Sequence, residues 1–178
     1  MTYRPRGVYE PNLFAISSHS LRTHSRAGAT VASTSTAWVA NLGVYVPFTT
    51  SIPLTVYEWW IGLGTLTTAA NADFGIYNED FTKVQSLGST ALSVGTASII
   101  TNTTTWTDLA LAPGAYYMAF SSDSTRNFEC SSDALGLYQA SGCMEQTSVA
   151  TLPSPAVPVA YARAFLPNFG MNCYTVAI

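Results

Sequence analysis

Along most of the chain, apolar and polar positions alternate in short runs separated by turn-forming residues. A period of two marks half-buried β-strands, because successive side chains of a strand leave opposite faces. The pattern predicts strands over residues 30–36, 43–48, 54–63, 73–78, 82–87, 103–111, 115–121 and 171–178. The run 54–63 (LTVYEWWIGL) is the strongest, with Thr55, Tyr57, Trp59 and Ile61 on one side and Val56, Glu58 and Trp60 on the other. The run 43–48 is expected to end at Pro47 and Thr49-Thr50, and Asn78-Glu79-Asp80 to turn the chain between two strands. Pro113-Gly114 is a further expected turn, since proline restricts φ and glycine accepts a positive one. Residues 152–158, with prolines at 153, 155 and 158, read as an extended connector. No helical period and no internal repeat interrupts this spacing. The expectation is an all-β fold, an antiparallel β-sandwich of jelly-roll type, over residues 28–178.

Residues 1–27 differ. They hold no sustained period, and Pro5, Gly7, Pro11 and the Ser-His-Ser cluster favour an extended N-terminal arm. Tyr9, Leu13, Phe14 and Ile16 are too apolar for a free tail and read as anchors that bury against a partner or a neighbouring subunit. Charge sets the same segment apart. Arg4, Arg6, Arg22 and Arg26 face only Glu10 there, a net of +3, whereas the remaining residues carry −6, for −3 overall. Both histidines, His19 and His24, lie in the basic segment. Such a split assigns arm and body different tasks, the arm docking through its arginines and apolar anchors. The plainer alternative is a solvated N-terminal tail.

Composition narrows the class. Of 178 residues, 48% are hydrophobic and only 10% charged, against the roughly 25% charged residues of ordinary soluble proteins. Mean hydropathy is only +0.20, because Thr, Ser, Ala and Asn fill the deficit, so the surface is neutral and rich in hydroxyls. The 12% aromatic content excludes a disordered chain. Lys83 as sole lysine and the scarcity of Glu exclude a coiled coil. No apolar stretch follows the basic start, so no secretory signal is expected. The longest uncharged apolar stretch, 109–120, is interrupted by Pro113-Gly114 and falls short of the roughly 20 residues that span a bilayer. Cys130, Cys143 and Cys173 make an odd count without metal-binding spacing, and are expected as free, mostly buried thiols. A Cys130–Cys143 bridge is the alternative.

Candidate chemistry is thin. The only histidines lie in the arm, no Gly-x-Ser-x-Gly elbow occurs, and His19 and His24 lack the spacing of a helical metal pair. The acids Asp73, Glu79, Asp80, Asp108, Asp123, Glu129 and Asp133 fall near strand ends or loops and read as solvated rather than as a catalytic pair. No catalytic residue, metal site or cofactor is expected, and the chain is not expected to be an enzyme. Trp59-Trp60 and Tyr116-Tyr117 are adjacent aromatics on strands, so one of each pair must leave the core. The member left outside is expected at a subunit interface, with a glycan-binding surface as the alternative. The body's −6 argues against nucleic acid.

The stretch 73–123 carries a resemblance. It holds Gly75-Ile76-Tyr77-Asn78-Glu79-Asp80, Gly88-Ser89-Thr90 and Trp106-Thr107-Asp108-Leu109. Leu111-Ala112-Pro113-Gly114-Ala115-Tyr116-Tyr117-Met118-Ala119 and Ser121-Ser122-Asp123 follow. With Tyr161-Ala162-Arg163-Ala164-Phe165 and Phe169-Gly170-Met171, it resembles the small β-sandwich virion proteins of tailed bacteriophages, over about half of the chain. The resemblance implies a domain attached to the capsid exterior, the tail or a fibre, usually as oligomers and often trimers, with no catalytic residues to transfer. The resulting expectation is a head decoration or cement protein, assembled in the host cytoplasm, whose partners are itself, as a homotrimer, and the major capsid protein or another virion protein. The alternative is a tail- or fibre-associated module that binds a receptor or a host surface glycan. Neither nucleic acid nor membrane is expected as a partner.

Overall fold

The computed structural model describes residues 19–22, 34–64, 69–92, 99–102, 106–132 and 135–175. The described elements begin with β1 (His19–Arg22), β2 (Thr34–Ala37), β3 (Leu42–Thr50), β4 (Leu54–Gly62) and β5 (Ala70–Asn78). β6 (Lys83–Ser86), β7 (Thr90–Leu92), β8 (Ile99–Asn102), β9 (Leu109–Leu111), β10 (Gly114–Ser122) and β11 (Asn127–Ser132) follow. A helix α1 (Leu135–Ala140), then β12 (Met144–Thr147), β13 (Val159–Ala160), β14 (Phe165–Pro167) and β15 (Phe169–Thr175), complete the order.

All described pairings are antiparallel. One sheet runs β13-β12-β3-β10-β5-β6, with β7 also on β5; a second runs β1-β15-β4-β8, with β9 also on β4; β14-β11-β2 form a third. In the first sheet the period of two is strict. Leu42, Val44, Val46 and Phe48 of β3, Ala72, Phe74 and Ile76 of β5, and Met118 and Phe120 of β10 enter the main core. They meet Leu54, Val56, Trp59 and Ile61 of β4 and Phe169, Met171 and Cys173 of β15 from the facing sheet. Aromatic contacts join the two faces, with Trp59 5.7 Å from Phe74 and Phe169 5.5 Å from Phe120 between ring centroids. This is the expected β-sandwich. The third sheet is joined to β4 through the Leu63–Phe128 bridge and the bond from Gly62 N to Asn168 O.

Four local expectations are corrected. β4 does not keep one alternation: its register with β15 shifts, Val56 facing Cys173 while Glu58 faces Asn172, so Tyr57 is an extra residue. A bulge of this kind reverses the phase, which puts Leu54 and Val56 in the core before it and Trp59 and Ile61 after it. Pro47 does not end β3. It lies beyond Tyr45, the last residue of β3 that β12 pairs, so a missing N–H costs no ladder bond on that side. Pro113-Gly114 bends the chain without a glycine at positive φ and carries it from one sheet to the other, since β9 pairs β4 and β10 pairs β3. Gly114 already belongs to β10, paired with Thr50. Finally, α1 is a helix of six residues where none was expected. The turn after β5 is as expected, with Phe81 N bonded to Asn78 O and Thr82 N to Asp80 Oδ1, and with Phe81 at φ 62°.

The three cysteines are free and buried. Burial pushes the thiols of Cys130 and Cys173 up to about 12, and that of Cys143 also upward.

Candidate functional site

Two sheet faces point away from the main core, and they differ. On the first sheet, Tyr45, Asp73, Tyr77, Ala119 and Ser121 occupy the outward positions, yet all are buried. The segment 148–158 lies across them, with Leu152 and Ala156 packed on Tyr45, Tyr77 and Ala119. The cover is hydrogen-bonded throughout. Asp73 accepts from Leu152 N at 3.0 Å and from Gly88 N at 2.9 Å, while Lys83 Nζ donates to Leu152 O at 2.8 Å. Tyr77 donates to Pro153 O, Ser121 Oγ to Ala150 O, and Ala156 N to Phe81 O. Burial raises the Asp73 carboxyl above its ordinary value, against the pull of those backbone donors and of Lys83. The Tyr45 hydroxyl is pushed up to about 12, chiefly by burial. The residues 152–158 are the extended connector expected from the prolines, but they form a second small core that closes this face.

The outer surface of that connector carries exposed apolar residues, Val157 at 73% and Val159 at 61%. Val159 belongs to β13, an end strand of the first sheet. Beside it, Arg163 pairs with Glu145, Nε to Oε2, at 3.3 Å. A shallow cavity of about 450 Å³ opens between residues 39–42 and Thr147, Ser148 and Ala150. Asn41 and Ser148, at φ 58° and 62°, both line it.

The outward face of the second sheet is open over part of its area. Tyr57, displaced by the bulge, packs against Tyr174 in a tilted pair with ring centroids 5.8 Å apart. The Tyr174 hydroxyl donates to Asp108 Oδ2 at 3.3 Å, and Asn172 Nδ2 donates to Glu58 Oε2. Two half-buried tyrosine rings thus lie beside two carboxylates and an amide. This set suits ligands with flat apolar faces and hydroxyls, or a guanidinium group.

The aromatic pairs expected from the sequence are placed as follows. Trp59 is fully buried, 5.4 Å from Trp106 in an edge-to-face pair. Trp60 is also buried, at 7% exposure, so neither tryptophan lies outside. Only Trp59 belongs to the main core, as expected of adjacent strand positions, while Trp60 leaves that core and is covered. Tyr116 and Tyr117 do take opposite sides, Tyr116 stacking on Phe48 of the main core and Tyr117 packing tilted against Phe81 beside the second core. Both are half-buried. Tyr57 and Tyr174 were not singled out in the sequence, because only the bulge and the β4–β15 pairing bring them together.

Of the proposed docking residues, Arg22 lies in β1, opposite Gly170 of β15. Arg4, Arg6, Tyr9, Leu13, Phe14, Ile16 and Arg26 fall outside the described residues. β1 is thus a strand added to the edge of β15, in register His19–Cys173, Ser20–Asn172, Leu21–Met171 and Arg22–Gly170. Among the described residues no group of three or more His, Cys, Asp or Glu converges as metal ligands, and no helix is long and apolar enough to cross a membrane.

No protein-family model and no curated protein matches the chain. Among solved structures it is similar to a chain of the T13 viral particle of IBDV, with a TM-score of 0.33 and 9% identity over 90% of this chain. The match spans 39% of that chain. The sandwich described above rests on its own strand pairing and core, not on that likeness.

Proposed function

We propose that the chain is a non-enzymatic structural protein of a virion, a decoration or cement subunit that docks on the head exterior of a tailed bacteriophage and stabilises it. The observation that carries this reading is the division of charge between a basic N-terminal segment and an acidic, charge-poor sandwich. Part of that segment, β1, already engages a sheet edge by strand addition. A surface poor in lysine and glutamate loses little side-chain entropy when covered, and exposed Val157 and Val159 supply apolar contact on one sheet end. The subunit assembles in the host cytoplasm, as a homotrimer by the resemblance, and meets the major capsid protein or another virion protein through the arm.

The test is binding to purified phage heads, comparing the full chain with a truncation that lacks residues 1–17 and keeps β1. The truncated protein should fold and lose particle binding. Full occupancy by the truncated protein defeats the reading.

The outward face of β4 and β15 favours a second reading, a tail- or fibre-associated module that binds a host surface glycan. Tyrosine rings beside Glu58, Asp108 and Asn172 supply stacking and hydrogen bonding of the kind sugars take. It predicts saturable binding of the isolated protein to host cells, lost in Tyr57→Ala and Tyr174→Ala. Binding unchanged in both variants, or no binding at all, removes it.

A further inference from the structure

The edge of β15 supports an inference about self-association that needs no virion role. β1 pairs with β15 alone among the described strands, through four residues. On the other side of β15 lies β4, and between the sheets Phe169, Met171 and Cys173 are fully buried. Without β1, the backbone of residues 170–173 would be an open edge above the centre of the core. Such an edge is a template for pairing with another chain, and β1 is the strand that takes it.

The ladder that occupies it is a backbone ladder, and backbone does not distinguish the chain's own residues 19–22 from those of a neighbour. Eleven residues separate β1 from β2, a contour of roughly 36 Å at full extension, comparable to the diameter of a small domain. The reach is therefore long enough for a neighbouring copy. A tether of that length holds its end at an effective concentration on the order of millimolar. Copies packed side by side present one another's edges at a comparable concentration, so packing decides which copy supplies the strand. The charges agree, since a segment of +3 is attracted to a neighbour's body of −6 as it is to its own.

We propose that β15 is a strand-exchange site, and that at high local concentration residues 19–22 of one copy pair with β15 of a second copy of this chain. The exchange converts an edge that β1 already covers into an intersubunit joint, with no contact that the single chain lacks.

Register makes this testable on the isolated full-length protein. Ser20 lies directly opposite Asn172, while the native cysteines are buried and give a silent background, checked with the wild-type protein. Ser20→Cys and Asn172→Cys proteins are mixed, incubated over concentrations that reach the millimolar range of the tether, and treated with a short bis-maleimide cross-linker. The double variant is treated in parallel. Exchange predicts a covalent heterodimer in the mixture, absent from either variant alone and rising with concentration, with linked multimers in the double variant. An internally bridged monomer as the sole product of the double variant, with no heterodimer in the mixture, overturns the proposal. No cross-link at all overturns it too, because residues 19–22 would then not lie on β15. Should Asn172→Cys fold poorly, His19→Cys opposite native Cys173 replaces it under oxidation, linked dimers supporting exchange and internally bridged monomers refuting it. Because only this chain is present, failure here leaves head binding, and its test, unaffected.

Discussion

Gly75→Ala isolates the packing of the segment 148–158 on the first sheet. Gly75 lies on the covered face of β5, opposite Ala119 of β10 and Ser86 of β6. A Cβ there would stand 2.9 Å from Leu152 Cδ1, 3.0 Å from Gln85 O and 3.1 Å from Ser86 Cβ. Two of these three neighbours belong to β6, which is paired to β5 and cannot withdraw without breaking its ladder. Leu152 is the neighbour that can give, but it is buried, and Asp73 holds its N–H. The added methyl therefore overpacks a closed site, at a cost of about 1–3 kcal/mol. Leu152→Ala removes the nearest obstacle and leaves a cavity, a loss of about 2–5 kcal/mol by itself. Urea unfolding of the wild type, both single variants and the double variant completes a cycle. The double variant should be more stable than the sum of the single losses allows, by roughly 0.5–3 kcal/mol of coupling. Rescue is partial, since Gln85 O and Ser86 Cβ stay where they are. Hydrogen exchange of residues 149–157 should quicken in Gly75→Ala while β3 and β10 keep their protection. A neutral Gly75→Ala, or strict additivity, would refute the close approach of Leu152 to β5.

Three further outcomes follow from the same contacts. Asp73 has a folded-state pKa above its unfolded value, so its contribution to stability is present below the ordinary carboxylate range and is lost as pH rises through the raised value. The stability of the wild type relative to Asp73→Asn should accordingly fall in urea titrations as pH rises from below the ordinary carboxylate value through the raised one, and a rise would contradict burial as the dominant influence. Cys130 and Cys173, both pushed up to about 12 by burial, should resist a thiol reagent in the folded protein and react once urea unfolds it, with stability falling as pH rises above the ordinary thiol value towards 12; rapid labelling of native protein would place them at the surface. Val157→Asp with Val159→Asp should shift stability by no more than about 0.5 kcal/mol, because both side chains are largely exposed, and a larger loss in thermal unfolding would mean that the isolated chain buries them.

The strands at 42–50, 54–62, 70–78 and 114–122 were legible because each is long and β-prone, and three of them alternate strictly. The turn at Asn78-Glu79-Asp80 was legible because its residues carry their own hydrogen-bonding chemistry. Shorter strands escaped, among them β7, β8, β12, β13 and β14, since two to four residues fix no period. β11 and α1 escaped as well. Of the candidate surfaces, the sequence pointed to Trp59 and Trp60, both of which are buried, and missed Tyr57 and Tyr174.

By itself, then, the amino-acid order determined the class of fold, the opposite sides taken by Tyr116 and Tyr117, and the charge division between the first 26 residues and the rest. These are local or additive properties, set by period, size and count. Only the tertiary structure decided which strand faces were covered. The bulge at Tyr57 depends on how β4 meets β15, and the closure of the Tyr45–Tyr77 face depends on a segment some 75 residues beyond β5 in the chain. The same holds for β1, whose four residues have no period of their own and become a strand only because β15 offers an edge to complete.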